Sequence, residues 1–232
     1  MQWGRLGTNP PRYKACDFDL TQFDPHPNYW LLSDQITVSE ANRIDITVMY
    51  LITSCSKLPS KGGHYCVNVL GVYVHQSNQS IADSDLYPNP LSNSVAYKRI
   101  AEINQTDKKT SETISVLVKE KNVILAFHNY GACSILFSVK VTYNVCPEEI
   151  LRSSLVTLPR TVAPANDSES TQVEGNCDKD TVQVYGSLEV HCESNGEWNT
   201  TGLEGRCICK EDMQNNDGIC KGTDVFAHGI DY

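Results

Sequence analysis

Hydrophobic positions between residues 30 and 143 recur with the spacing of β-strands. The clearest run is residues 44–52, where Ile44, Ile46, Val48, Tyr50 and Ile52 alternate with Asp45, Thr47, Met49 and Leu51. This period of two, in a run rich in β-branched residues, predicts a strand with one buried face. Shorter runs of the same character predict further strands at residues 67–74, 113–118, 123–127 and 135–143.

Turn-forming residues separate these runs. Clusters of Gly, Pro, Asn, Asp and other polar residues predict turns at residues 59–63, 83–90, 104–109 and 129–131. No apolar pattern with helical spacing persists over three turns. Several short strands with polar connections predict an all-β fold, a jelly roll or another β-sandwich.

The composition changes near Cys146. Residues 161–175 contain almost no large apolar side chain, and six of the ten cysteines lie at or after Cys146. A small domain with few buried aliphatic residues needs disulfide bonds for stability. We therefore predict a sandwich at residues 1–145, a cysteine-stapled module at 146–208 and a third unit at 209–232.

The charge and the cysteines limit the classes of function. With 28 acidic and 19 basic residues the net charge is −9, which argues against nucleic-acid and anionic-lipid partners. Ten cysteines are an even number and a high count for a cytosolic protein of this size, which indicates an oxidising compartment and five disulfide bonds. Four N-x-Ser/Thr sequons agree with this and predict glycosylation at Asn78, Asn104, Asn166 and Asn199.

The sequence shows neither a leader nor a membrane span. Residues 1–16 contain Arg5, Arg12 and Lys14 but no apolar run of the kind found in signal peptides. The most apolar run, residues 44–52, is about half the ~20 residues that a membrane helix needs. We therefore expect the chain to be part of a longer protein.

The chain carries no common catalytic motif. It has no nucleophile elbow, dinucleotide-binding glycine motif, P-loop or zinc-protease motif, and its six histidines are scattered singly. Cys207, Cys209 and Cys220 are an alternative zinc site, but the C-x₂₋₄-C pairs typical of zinc sites are missing. We predict no enzyme activity, no metal or other cofactor and no small-molecule substrate.

A longer stretch allows a family assignment. Residues 122–147, with the motifs L-A-F, G-A-C, S-V-K-V-T-Y and C-P, closely resemble the end of the ligand-binding domain of Eph receptors. Other motifs of that family follow in the expected order: Trp30-Leu31, Arg43-Ile44, Cys55…Pro59…Cys66, Leu158-Pro159-Arg160-Thr161, Gly175-Asn176-Cys177, Gly196-Glu197-Trp198 and Gly205-Arg206-Cys207-Ile208-Cys209. The resemblance covers residues 13–220.

The resemblance also implies a disulfide pattern, which spacing alone leaves open. The order of the cysteines from 146 to 207, with Trp198 before the last of them, resembles a sushi module, and the two cysteines after residue 208 resemble the opening loop of an EGF-like module. The implied pairs are Cys16–Cys133, Cys55–Cys66, Cys146–Cys192, Cys177–Cys207 and Cys209–Cys220.

The resemblance implies a protein ligand. Eph ligand-binding domains are jelly rolls that bind membrane-anchored ephrins on a neighbouring cell, and longer relatives add fibronectin repeats, a membrane span and a kinase. It leaves open whether the receptor clusters. The implied location is the extracellular side of the plasma membrane. The residues that match the walls of the ephrin channel are Leu31, Leu32, Ser33, Ile36, Val38, Thr53, Ser54, Cys55, Cys66 and Cys133.

The sequence departs from the family at the predicted channel. Thr53 and Ser54 stand where most of the family has an Arg-Asp pair whose arginine contacts an acidic ephrin residue, and Leu32 replaces a basic residue. Loss of a desolvated charge anchor weakens binding. The family's opening strands are missing, which predicts an exposed sheet edge. Two alternatives follow: a secreted structural or adhesive protein that kept the scaffold, or a soluble decoy whose tail, residues 222–232, is a natural end.

Overall fold

The computed structural model describes residues 3–7, 10–15, 27–38, 40–57, 67–81 and 87–222. The chain forms two compact units, Met1–Tyr143 and Asn144–Tyr232.

The first unit consists of strands with two short 3₁₀ helices, Cys55–Lys57 and Ser94–Ala96, in its described part. The strands are β1 (Gly4–Leu6), β2 (Arg12–Ala15), β3 (Tyr29–Leu32), β4 (Ile36–Thr37), β5 (Arg43–Thr53), β6 (Val69–Ser77), β7 (Lys98–Asn104), β8 (Thr106–Leu117), β9 (Asn122–Asn129) and β10 (Cys133–Thr142). They form two antiparallel sheets. The front sheet has the strand order β1-β2-β10-β5-β8. The back sheet has the order β3-β9-β6-β7, and β4 also pairs with β9.

The core of this unit lies between the two sheets. Every second residue of β5, including Ile44, Ile46 and Val48, is fully buried there, as the alternation predicted. From the back sheet, Leu70 and Val72 pack into the same cluster. Each such side chain contributes about 1.5–3 kcal/mol by leaving water. The prediction of an all-β sandwich is confirmed.

Strand β9 is buried along its whole length. It lies at the centre of the back sheet, between β3 and β6. Its Val123 and Leu125 face the core, whereas Ile124 and Ala126 pack into a cluster on the outer face. Burial on both faces explains why the sequence has a continuous apolar run here and no alternation.

The predicted turn at residues 104–109 is wrong. Strand β7 ends at Asn104 and β8 begins at Thr106, so Gln105 alone separates them. The polar run that suggested a turn belongs to β8, an edge strand of the front sheet, most of whose side chains are exposed over residues 107–113. Charged residues are typical of edge strands because they oppose edge-to-edge association.

Residues before Cys16 add two strands to the front sheet. Ala15 and Tyr13 of β2 pair with Ser134 and Leu136 of β10, and β1 pairs in turn with β2. The edge strand on this side is therefore β1, which is exposed but only three residues long. A short edge strand offers little backbone for pairing with another chain.

The second unit is built from short strands and disulfide bonds. Its strands are β11 (Val145–Cys146), β12 (Glu149–Leu151), β13 (Val156–Leu158), β14 (Thr161–Val162), β15 (Ser170–Glu174), β16 (Asn176–Cys177), β17 (Thr181–Tyr185), β18 (Glu189–Glu193), β19 (Trp198–Asn199), β20 (Arg206–Cys209), β21 (Met213–Asn216) and β22 (Ile219–Gly222). Disulfide bonds join Cys146 to Cys192, Cys177 to Cys207 and Cys209 to Cys220. A core of Leu155, Val156, Leu158, Leu188 and Val190 packs against the second and third of these bonds, whereas the first packs with Ala163 and Trp198.

The three cysteines of the alternative zinc site are thus all bonded to sulfur. Among the described residues there is no cluster of three metal-ligating side chains. No helix in the described part of the chain has the length and apolar character needed to cross a membrane.

Candidate ligand-binding surface

The sequence-predicted ligand-binding residues lie in two separate places. Thr53 and Cys133 are direct neighbours on β5 and β10 of the front sheet. Leu31, Leu32, Ser33 and Ile36 instead line a cavity that Thr53 and Cys133 do not line. Cys16 and Cys66 lie outside the described residues. The single channel expected from the sequence therefore corresponds to two surfaces.

The first surface is the outer face of the front sheet. Because Ile52 points into the core, its neighbours on β5, Leu51 and Thr53, point outward. Across the strands, Thr53 pairs with Cys133, and Leu51 pairs with Ile135, which pairs in turn with Lys14. We call these five residues the front patch. Leu51, Thr53, Ile135 and Lys14 are half-buried, so part of each side chain is open to solvent.

A tight turn positions Cys133 in this patch. The buried Asn129 side chain donates to the Ala132 carbonyl at 2.8 Å and to the Ser134 hydroxyl at 2.7 Å, and it accepts from the Gly131 amide at 2.8 Å. Gly131 has φ = 100°, a conformation that suits glycine. These bonds connect β9 to β10 and fix the start of β10, where Cys133 lies.

Ser54 and Cys55 have structural contacts beside the patch. Ser54 is 8% exposed, and its hydroxyl bonds to that of Ser56 at 2.8 Å. The Cys55 amide donates to the Asn68 side chain at 2.7 Å. Cys55 and Cys133 are both disulfide-bonded. The contacts of Ser54 and Cys55 therefore fix the segment that follows β5. Thr53, the last residue of β5, is the one that faces outward.

The second surface is a groove between the two sheets. It is a cavity of about 430 Å³, lined from the β3–β4 side by Leu31, Leu32, Ser33 and Ile36 and from the β10 side by residues 136–139 and 141. Ser33 is tied to the back sheet, since its amide donates to the Leu125 carbonyl and its hydroxyl accepts from the Leu125 amide, both at 2.9 Å.

Val38, which the sequence assigns to the wall of the channel, lies in the core of the first unit. This side chain is 4% exposed and belongs to the core cluster between the sheets. Its amide donates to the Lys121 carbonyl at 2.8 Å, which fixes the segment after β4 against the beginning of β9. The sequence placed Val38 at the end of an apolar segment, but it could not show which apolar residues of that segment fill the core.

Aromatic rings cover the outer face of the back sheet. The His128 ring stacks on Trp30 at 4.1 Å between ring centroids and lies 4.0 Å from the ring of Tyr130. The hydroxyls of Tyr73 and Tyr130 are 2.8 Å apart. Both ring nitrogens of His128 are buried, and neither has a hydrogen-bond partner among the residues that the structure describes. No local sequence pattern connects these rings, because they come from β3, β6, the end of β9 and the turn that follows β9.

This burial makes the stability of the first unit depend on pH. Desolvation lowers the pKa of His128 to about 4 from 6.5. The unfolded chain thus binds more protons below pH 6.5, and the stabilising effect of the neutral imidazole is lost as the pH falls. From this shift we expect a loss of about 2 kcal/mol between pH 7 and pH 5.

Urea unfolding of the whole chain at both pH values, followed by tryptophan fluorescence, measures this effect. His128→Phe keeps a flat apolar ring but removes the titrating group, so its free energy of unfolding should fall less between pH 7 and pH 5. Because it also removes two unpaired nitrogens, it should be at least as stable as the wild type at pH 7. Equal pH dependence of both proteins would contradict the assignment to His128.

The four sequons differ in exposure. Asn78, Asn104 and Asn166 are exposed, whereas Asn199 is half-buried. The Asn199 amide nitrogen donates to a Glu193 carboxylate oxygen at 3.0 Å, and its oxygen accepts from the Thr201 hydroxyl. A glycan on Asn199 would replace one of the two hydrogens on this nitrogen, so the bond to Glu193 could be kept only by the other hydrogen.

Comparison with known proteins identifies both units. Residues 6–146 match the model of the ephrin receptor ligand binding domain, and residues 150–209 match that of the ephrin cysteine rich domain. Neither is a kinase domain.

Full-length relatives agree with this match. The chain is 29% identical over 219 residues to ephrin type-A receptor 3 of Danio rerio, and 27% over 217 residues to ephrin type-A receptor 5 of Homo sapiens. It is 25% identical over 223 residues to ephrin type-B receptor 2 of Gallus gallus. Each match covers 90% of this chain but 20–21% of the relative, so the chain spans about a fifth of the length of these curated relatives. The chain therefore belongs to the ephrin receptor family, with the ligand-binding and cysteine-rich domains that form part of the family's extracellular region.

Proposed function

We propose that this chain is the extracellular ligand-binding part of an Eph-type receptor and binds an ephrin-like, membrane-anchored protein during contact-dependent signalling. The observation that carries the proposal is the match of residues 6–146 to the ephrin receptor ligand binding domain. The net charge of −9 agrees with a protein ligand and disfavours nucleic acid.

The ligand docks on the front patch in this proposal. Leu51 and Ile135 form a half-exposed apolar centre, and Thr53 and Lys14 lie beside them. An apolar centre with polar neighbours is the usual composition of a protein interface. All five residues lie on paired strands or at a strand end, which hold a site more precisely than loops do. The groove is the less favoured surface because Leu31 and Ile36 also pack against the core.

Binding to a panel of ephrin ectodomains tests the proposal. Residues 1–232 are expressed behind a signal peptide, shown to contain no reactive thiol, and titrated with each ectodomain by surface plasmon resonance. Saturable binding to at least one ephrin is the expected result. Absence of binding by a folded, fully oxidised chain would overturn the proposal and favour a secreted structural or adhesive protein.

A further inference from the structure

Two cationic side chains converge on one aromatic ring in the first unit. The Arg12 guanidinium lies 5.5 Å from the centroid of the Phe137 ring, and the Lys109 ammonium lies 4.9 Å from it. An aromatic face attracts a cation through its quadrupole, and the attraction grows as the cation loses water. We call these three residues the cationic cluster.

Arg12 lies two residues from Lys14 of the front patch along β2, and Phe137 lies two residues from Ile135 along β10 and also lines the groove. Tyr13 packs against the core, so its neighbour Arg12 points outward. Phe137 is the extra residue of a β-bulge between Leu136 and Ser138, and bulges commonly redirect a side chain. Because β5 separates β8 from β10, Lys109 must reach across β5 to contact this ring.

Three acidic side chains on β8 and β5 of the front sheet are bonded to other groups. Asp107 pairs with Lys57 at 2.8 Å, and Asp45 accepts from the Ser115 hydroxyl at 2.6 Å. Glu112 accepts from the Tyr50 hydroxyl at 3.4 Å.

Arg12 and Lys109 have no carboxylate partner among the described residues. Neither forms an ion pair or a side-chain hydrogen bond with any residue in the described ranges. Within the described part of the chain, two positive charges without an ion-pair partner therefore meet at one ring, in a chain whose net charge is −9. Such a local field attracts a carboxylate and steers its approach.

We propose that the cationic cluster binds a carboxylate-bearing segment of the protein ligand that docks on the front patch. This inference rests on the proposed function. Thr53 is uncharged, and in this proposal Arg12 and Lys109 supply the positive charge instead. Arg12 lies on β2, next to β10, and Lys109 lies on β8, next to β5. Charge complementarity of this kind raises the association rate and selects for an acidic partner more than it adds affinity.

Two charge-neutralising variants test the proposal against the ephrin ectodomain that binds best in the panel. Arg12→Gln with Lys109→Gln removes both charges of the cluster and keeps long polar side chains. The control is Arg5→Gln with Lys108→Gln. Arg5 lies on β1, which pairs with the strand of Arg12, and Lys108 lies on the strand of Lys109. The cations over the Phe137 ring are Arg12 and Lys109, so the control leaves them in place. Phe137→Leu keeps an apolar side chain and removes only the aromatic face.

The cluster variant should bind about five- to tenfold more weakly, mainly through slower association, and its affinity should fall less steeply with added salt. The control should change the dissociation constant less than twofold, and Phe137→Leu should lie between the two. Equal binding of the cluster and control variants, with unchanged melting temperatures, would overturn this inference and leave the proposed function intact. Failure of the wild type to bind would overturn both.

Discussion

Replacement of Cys146 and Cys192 by serine is expected to unfold the second unit and to leave the first unit folded. Both cysteines are completely buried, and they pack with Ala163 and Trp198. Their bond spans 46 residues of sequence, for which the chain-entropy model gives about 4 kcal/mol. This is close to the whole stability that a small domain with a small core can have.

Limited proteolysis with mass spectrometry measures this outcome, with cleavage expected after residue 144 and little cleavage in the strands of the first unit. The matched control is replacement of Cys209 and Cys220, whose bond spans 11 residues and closes the β21–β22 hairpin. That variant should be cleaved only near the hairpin. Protease resistance of the Cys146/Cys192 variant equal to that of the wild type would contradict the central role of this bond.

Thr53→Trp is expected to weaken ephrin binding by at least about 100-fold, which corresponds to about 2.7 kcal/mol. Thr53 faces outward beside Cys133, so an indole at this position covers the front patch and blocks a ligand from Leu51 and Ile135. Loss of contact at the centre of an interface has effects of this size.

The control for this variant is Thr113→Trp. Thr113 lies on the same sheet, is exposed on the edge strand β8 and pairs with Thr47, away from the patch. It should bind the ephrin within about twofold of the wild type. Unchanged affinity of Thr53→Trp would exclude the front patch as the docking site, and equal losses in both variants would indicate damage to the sheet.

Local patterns in the sequence predicted those strands whose hydrophobic pattern extends over their whole length. The alternation in β5 and the continuous apolar run in β9 are set by which faces are buried, and each marks its strand directly. Strand β8 was only partly predicted because its first half is an exposed edge, where polar side chains suit a strand and a turn equally. Strands β1 and β2 were missed because they are short and carry no apolar run.

The candidate site depends on neighbours that are distant in sequence. The motifs around Thr53 and Cys133 identified two residues that the structure pairs. Lys109 and Phe137 come together only through the order β8-β5-β10, which no local pattern encodes. The expected wall at residues 31–38 faces a different cavity because its strands β3 and β4 belong to the back sheet.

Hydrogen exchange of the whole chain with and without a bound ephrin ectodomain tests the central claim most directly. Docking on the front patch predicts slower exchange in β2, in residues 51–53 of β5 and in residues 133–135 of β10, with β3 and β4 unchanged. Protection confined to β3, β4 and the groove, or to the second unit, would contradict the proposed site. A saturated complex without protection in the front sheet would contradict it equally.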